Sequence, residues 1–265
     1  AGAVLLTAML IGTATSVAGL AAPWAIVVVS AVASLVTLLA YSAQWHPPGA
    51  LFIVFAAGAT ASVPADVTRL MDVLAVGLAA VVFSIVITFV YEAVSARSIP
   101  RLTRTKNRIA VGAVAAEMAI TVAVATLLGG IAGLLLLDSH WYWAMVGAVA
   151  AVSGPHVKAR IIRGLQRLIG TGLGVVVAAA ILALGVPPLG VILIAVALQA
   201  AAELFVGRNY AIAMVFITPL ALLMVQLAAP TTAGVLLSDR LGETLVGIVA
   251  GTAVAVVSAL VRRTR

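Results

Sequence analysis

His140–Gly174 reads HWYWAMVGAVAAVSGPHVKARIIRGLQRLIGTGLG. Three aromatic residues open an apolar run of helical length, Gly154-Pro155-His156 breaks it, and a basic segment leads into a second, glycine-spaced apolar run. On a helix beginning near Val157, Arg160, Arg163 and Arg167 recur at i, i+3 and i+7 and share one face. Span, basic turn and return span is the pattern of a helical hairpin crossing a bilayer.

Composition extends that reading to the whole chain. Hydrophobic residues make up 64% and charged residues 9%, and mean hydropathy is +1.27. Soluble domains are about 45–50% apolar and about 25% charged, so this is an integral membrane protein. Barrel strands would alternate over about 10 residues, whereas apolar runs of helical length recur here, so the fold class is all-α and polytopic. The net charge of +7 sits in short clusters between those runs, which sets topology and leaves the lipid bilayer, not nucleic acid, as the partner. The absence of cysteine excludes disulfides, thiolate metal sites and a cysteine nucleophile. His-Glu-x-x-His, a Ser-His-Asp constellation and metal-ligand spacings do not occur, so neither an enzyme nor a cofactor or metal is expected. Gly170-x-Gly172 is no nucleotide loop, because no strand precedes it and no Lys-Ser or Lys-Thr follows.

Outward from the opening stretch, the apolar runs predict ten transmembrane helices: 2–20, 24–43, 50–63, 69–91, 109–137, 141–154, 161–185, 189–206, 209–227 and 240–261. Gln44–Gly49 ends the second and Pro64–Thr68 precedes the fourth. Residues 1–91 form a first transmembrane repeat and 109–265 a second. Residues 92–108, with Arg97, Arg101, Arg104, Lys106 and Arg108, are a basic connector too short to be a domain. With the connector cytoplasmic, every Lys and Arg of the fifteen except Arg69 and Arg240 falls on the cytoplasmic side, and so does the C-terminus. No starting Met or basic n-region precedes the first run, so the sequence is expected to begin inside a longer protein.

The first four spans overlay the last four as a parallel repeat. Pro23 falls on Pro187, Pro64 on Pro230, and Arg69 to Leu74 on Arg240 to Leu245, so Arg69/Asp72 and Arg240/Glu243 recur as an Arg with an acid three residues later. The second copy has an opening pair of helices that the first lacks. Twelve spans in two units of six are expected of the intact protein.

The His140-Trp141-Tyr142-Trp143-Ala144 run, the following proline, Lys158 to Arg167, Gly170 to Gly174, Arg208-Asn209-Tyr210-Ala211 and Arg240 to Thr244 together resemble the fusaric acid resistance-like family. That family is similar to the aromatic acid exporters and, more distantly, to plant aluminium-activated malate channels. The resemblance covers about 109–261 directly and 1–91 through the repeat. It implies a bacterial inner-membrane exporter of organic, often aromatic, anions built from two six-helix units. Many relatives carry a cytoplasmic domain between the halves, for which residues 92–108 leave no room.

Each polar constellation has a plain reading beside the functional one. Lys158, Arg160, Arg163 and Arg167 either anchor the cytoplasmic side to anionic lipid or gather organic anions, since guanidinium groups fork onto carboxylates. Trp141, Tyr142 and Trp143 fit an interfacial aromatic belt or a stacking surface at the outer exit, with His140 and Asp138 beside them as an outer proton site or a hydrated loop. His156 caps its turn. Glu117, roughly 13 Å along its helix from Arg108, and Glu203, near Gln199 and Arg208, are the proton-coupling candidates, against structural hydrogen bonds or salt bridges. Arg69/Asp72 and Arg240/Glu243 fix helix ends or bond between the halves, and Asp239 is an N-cap for the last helix. Gly129/Gly133, Gly170/Gly174 and Gly247/Gly251 are spacings that permit close helix contact.

The function expected is proton-coupled export of organic or aromatic anions. Substrate enters at the basic cytoplasmic face and leaves near His140–Trp143. A passive anion channel and a non-transporting scaffold subunit of a cell-envelope complex are the alternatives, and a homodimer or an envelope partner is compatible with each.

Overall fold

The computed structural model describes residues 2–43, 50–95, 108–137, 140–154 and 156–263. Gln44–Gly49, most of the basic connector with Arg97, Arg101, Arg104 and Lys106, and Asp138 and Pro155 lie outside them. Ten helices are described: α1 (Gly2–Val17), α2 (Ala22–Ser42), α3 (Leu51–Ser62), α4 (Val67–Ser95), α5 (Arg108–Leu137), α6 (Trp141–Val152), α7 (Val157–Ala183), α8 (Pro188–Val206), α9 (Tyr210–Ala228) and α10 (Ala233–Arg263).

Ten helices therefore occupy the ten apolar runs, but they are not alike in length. Seven, α2, α4, α5, α7, α8, α9 and α10, are long and apolar enough to cross a membrane, whereas Gly2–Val17, Leu51–Ser62 and Trp141–Val152 are shorter. Twelve residues rise only about 18 Å, against a hydrocarbon core of about 30 Å. The helix assignment holds for all ten, and length supports spanning for seven.

The helix ends follow from local chemistry. Gly19 at φ 64° and Gly185 at φ 57° turn the chain after α1 and α7, and prolines open both α2 and α8, where a missing N–H costs nothing. Asp66 Oδ1 accepts from the Arg69 backbone N–H at 2.8 Å, closing the first turn of α4. Asn209 caps α9, its Oδ1 accepting from the N–H groups of Ala211 at 3.0 Å and Ile212 at 3.3 Å. Replacing Asn209 with Ala leaves those two donors unmet, and thermal unfolding in detergent is expected to show a loss of about 1 kcal/mol.

Two compact units divide the chain, Ala1–Ile120 and Thr121–Arg265, and the division falls inside α5. In the first, α1 packs on α3 and α4, and α2 on α3. Gly12 lies against the Ala57 carbonyl and the Thr60 hydroxyl, and Ser34 donates to the Ala119 carbonyl at 3.2 Å. Along α4, Phe83, Phe89, Tyr91 and Val94 are exposed.

In the second unit α6 packs chiefly on α10, α7 on α9 and α10, and α8 on α9. Every residue of α6 is buried, as a helix apolar on all sides should be when it sits within protein. All three glycine spacings are contact points. A Cβ on Gly247 would meet the Ala144 carbonyl, and one on Gly251 would lie 2.5 Å from the Ala148 carbonyl. Gly170 and Gly174 meet Ala211, Met214 and Thr218 of α9, and Gly129 and Gly133 meet Ala144 and Ala148 of α6.

Candidate functional site

The buried face of α7 carries Arg160, Gly164, Arg167, Gly170, Thr171 and Gly174. The glycines bring that face against its neighbours, so the arginines in register with them turn inward too. Arg160 is 2% exposed and Arg167 1%, while Lys158 is exposed and Arg163 is half-buried. The sequence placed all four on one basic cytoplasmic face. The structure keeps Lys158 outside and takes Arg160 and Arg167 away from any lipid surface.

Tyr210 receives two of these cations. Arg163 lies over the Tyr210 ring, its Cζ 4.8 Å from the centroid. Arg167 Nη1 donates to the same residue's hydroxyl at 3.1 Å and lies 3.8 Å from Met214 Sδ. Tyr210 opens α9, so the Asn209 cap fixes the ring that both arginines use. Arg160 Nε donates to the Gly154 carbonyl at 3.0 Å.

On α10, Arg240 is 2% exposed and its Cζ lies 4.8 Å from the centroid of the Trp143 ring. A cation over an aromatic face is worth about 0.5–2 kcal/mol, well below the several kcal/mol that removing a charge from water costs. Arg167 and Arg240 lie within electrostatic reach of one another, with Tyr142 and Tyr210 beside them. Arg167 Nε, Arg240 Nε and Nη1, Trp143 Nε1 and the hydroxyls of Thr171, Thr218 and Thr244 are all buried without a hydrogen-bond partner. Elsewhere Thr13, Thr15, Thr37 and Thr126 bond back to the carbonyl four residues earlier. The second unit thus encloses guanidinium, indole and hydroxyl groups ready to donate to an oxyanion.

Several sequence readings are corrected by this arrangement. Arg240 and Glu243 do not pair, because Arg240 is drawn to Trp143 and the fully buried Glu243 carboxylate faces the backbone of Ala144 in the first turn of α6. Arg69 and Asp72 are both exposed and form no ion pair; the contact at that helix end is Asp66 with the Arg69 N–H. Asp239 does not cap α10, which begins at Ala233; its Oδ2 lies 2.9 Å from His140 Nδ1. Trp141, Tyr142 and Trp143 are 4%, 3% and 0% exposed, so protein, not the lipid interface, surrounds them. His140 stacks on Trp143 with centroids 4.7 Å apart. His156 stands at the N-cap of α7, but its side chain makes no cap hydrogen bond.

Of the two carboxylates singled out for proton coupling, Glu117 is half-buried on α5 in the first unit. Glu203 is exposed and accepts from Gln199 Nε2 at 2.8 Å. Among the described residues, Glu243 is the carboxylate that is buried completely. Its depth follows from the seven residues of α10 before Arg240, Ala233 to Asp239, which extend the helix outward. Counting from Ala233 puts Glu243 about 15 Å into α10.

Residues 124–254 match the family model described as "Fusaric acid resistance protein-like". The chain is also 34% identical over 111 residues to YvaC, described as an uncharacterized membrane protein, of Bacillus subtilis (strain 168). That match takes in 42% of this chain and 18% of the relative, so the chain spans under a fifth of that protein's length. No solved structure matches. Seven span-length apolar helices make this a multi-pass membrane protein, and its residues 124–254 are similar to the fusaric acid resistance protein-like family.

Proposed function

We propose that this chain is part of an inner-membrane transporter that exports organic anions, with aromatic anions favoured, in exchange for protons. One observation carries the reading: Arg167 and Arg240 are buried together, Arg240 over the Trp143 ring and Arg167 on the Tyr210 hydroxyl, without a carboxylate partner and with N–H groups unpartnered. A cation held by an aromatic face or a neutral hydroxyl keeps its position yet has no internal anion to displace, so an arriving carboxylate or sulfonate supplies the counter-charge. Trp143, Tyr142 and Tyr210 around the same groups favour a flat aromatic body on that anion. The exposed Lys158 and the half-buried Arg163 precede Arg167 along α7 as an approach from the cytoplasmic side.

The topology proposed with this function has the C-terminus cytoplasmic and the two units as copies of one plan. The neighbour pattern supports the second point, since α1 with α3 and α4 has the same order as α7 with α9 and α10. The exposed apolar side chains of α4 suit contact with hydrocarbon.

The test is flux in proteoliposomes holding the full-length protein. Benzenesulfonate and malate serve as probes, because benzenesulfonate stays charged at every pH used and does not leak as a neutral acid. Benzenesulfonate flux above that of empty vesicles is expected, faster than malate and enhanced by a pH gradient. Arg167→Gln should lower it by about tenfold or more, the loss of a hydrogen bond to a charged group. Absence of flux for both anions overturns the reading, and flux indifferent to the pH gradient makes the protein a passive anion path.

A further inference from the structure

We infer that Glu243 is the proton-carrying carboxylate of this transporter and that the His140–Asp239 pair is the relay connecting it to the outer side. The inference rests on the anion-export reading and deepens it.

Three features of the second unit converge on Glu243. Its side chain is 0% exposed and neither carboxylate oxygen has a side-chain partner. It faces the backbone of Ala144 at the start of α6. A room for it is built into α5, where a Cβ on Gly133 would lie 2.5 Å from Glu243 Oε2. Arg240, three residues earlier, does not neutralise it because that guanidinium lies on Trp143.

The groups facing the carboxylate form a graded path. Asp239 precedes it by four residues, one turn and about 6 Å nearer the start of α10. Asp239 Oδ2 lies 2.9 Å from His140 Nδ1, and these side chains are 12% and 14% exposed. Tyr142 on α6 stands within electrostatic reach of both Arg240 and Glu243. From α7, Arg167 reaches Arg240, and α5 presents the backbone of Gly133. Exposure thus falls from His140 and Asp239 to none at Glu243, as a proton path entering from one end requires.

The transfer balances without a further reactant. A proton from outside binds His140 Nε2, the Nδ1 proton passes to Asp239 Oδ2, and the imidazole is neutral again. Asp239 passes a proton to Glu243 across one helical turn, through a water molecule or a rotamer change of Glu243. Outward departure of the anion and inward release of that proton then complete one exchange. By contrast, Glu203 is exposed and bonded to Gln199, and Glu117 is half-buried in the other unit.

The experiment uses the full-length protein in proteoliposomes with benzenesulfonate as probe and a pH-sensitive dye in the lumen. For Glu243→Gln, transport driven by a pH gradient should fall by about tenfold or more and the coupled proton signal should vanish. Benzenesulfonate counterflow without a gradient should fall by no more than about threefold. Asp239→Asn and His140→Gln should slow proton entry by about fivefold or more, and Glu243→Asp should restore coupling. If Glu243→Gln fails to fold, the Asp239→Asn and Glu243→Asp outcomes decide. Glu243→Gln with intact proton coupling, or Asp239→Asn with unchanged proton entry, overturns the relay while anion transport stands. Loss of counterflow in step with driven transport overturns it as well, and assigns Glu243 to packing.

Discussion

An Arg240→Met protein is expected to unfold at the same or a higher temperature than the native protein and to lose about tenfold or more of its anion flux. The two halves of that expectation have one cause. Arg240 is 2% exposed, has no carboxylate partner, and leaves Nε and Nη1 unpartnered. Its contact with Trp143 returns about 0.5–2 kcal/mol, less than the several kcal/mol of desolvation. Apolar replacement of buried charge is often stabilising by about 1–4 kcal/mol, and methionine fills most of the arginine stem volume. A purely structural arginine would behave in the opposite way. Thermal unfolding in detergent and benzenesulfonate flux on the same preparation separate the cases: a lower melting temperature with flux retained would refute the anion role.

Gly247→Leu is expected to be the most damaging apolar substitution in the second unit. Even a Cβ there would overlap the Ala144 carbonyl, and Gly147 faces Gly247 across the same seam, where a Cβ would lie 3.2 Å from the Gly247 Cα. Overpacking a core usually costs about 1–3 kcal/mol, and backbone cannot rotate aside as a side chain can, so a loss of about 3 kcal/mol or more is expected. Gly172→Ala is the control, because nothing lies within 4 Å of its added Cβ. With better helix propensity and no clash it should be neutral or stabilising by up to about 1 kcal/mol. The comparison fails if both variants unfold alike.

The helices were legible because a membrane protein writes them as long apolar runs broken by Pro23, Pro64 and Pro187 or by charge. Which surfaces face inward was not, since lipid and protein interior accept the same side chains. Trp141 to Val152 reads equally well as a lipid-facing span and as the enclosed helix it is. The shared face of Arg160, Arg163 and Arg167 was visible in their spacing, whereas its direction depends on α9, which supplies Tyr210. Charge itself misled at the start of α10. Asp239 and Arg240 look like the boundary of a span, yet the helix runs from Ala233, which turns a helix-end pair into interior groups. The His140–Asp239 contact joins residues 99 positions apart, and no local pattern announces a partner at that range.

The glycine seams also set apart two kinds of helix contact in the second unit. Main chain meets main chain between α6 and α10 at Gly147, Gly247 and Gly251, and between α7 and α9 at Gly170. Where α7 meets α10 at Gly164, the neighbour is the Ile248 side chain. Two helix pairs closed backbone to backbone are thus joined by a contact that a side chain fills. Trp143, Arg240 and Glu243 belong to one pair and Arg167 and Tyr210 to the other. The separation of the two guanidinium groups is therefore set by the α7–α10 contact, while Arg240 is held over Trp143 and Arg167 on the Tyr210 hydroxyl within their own helix pairs.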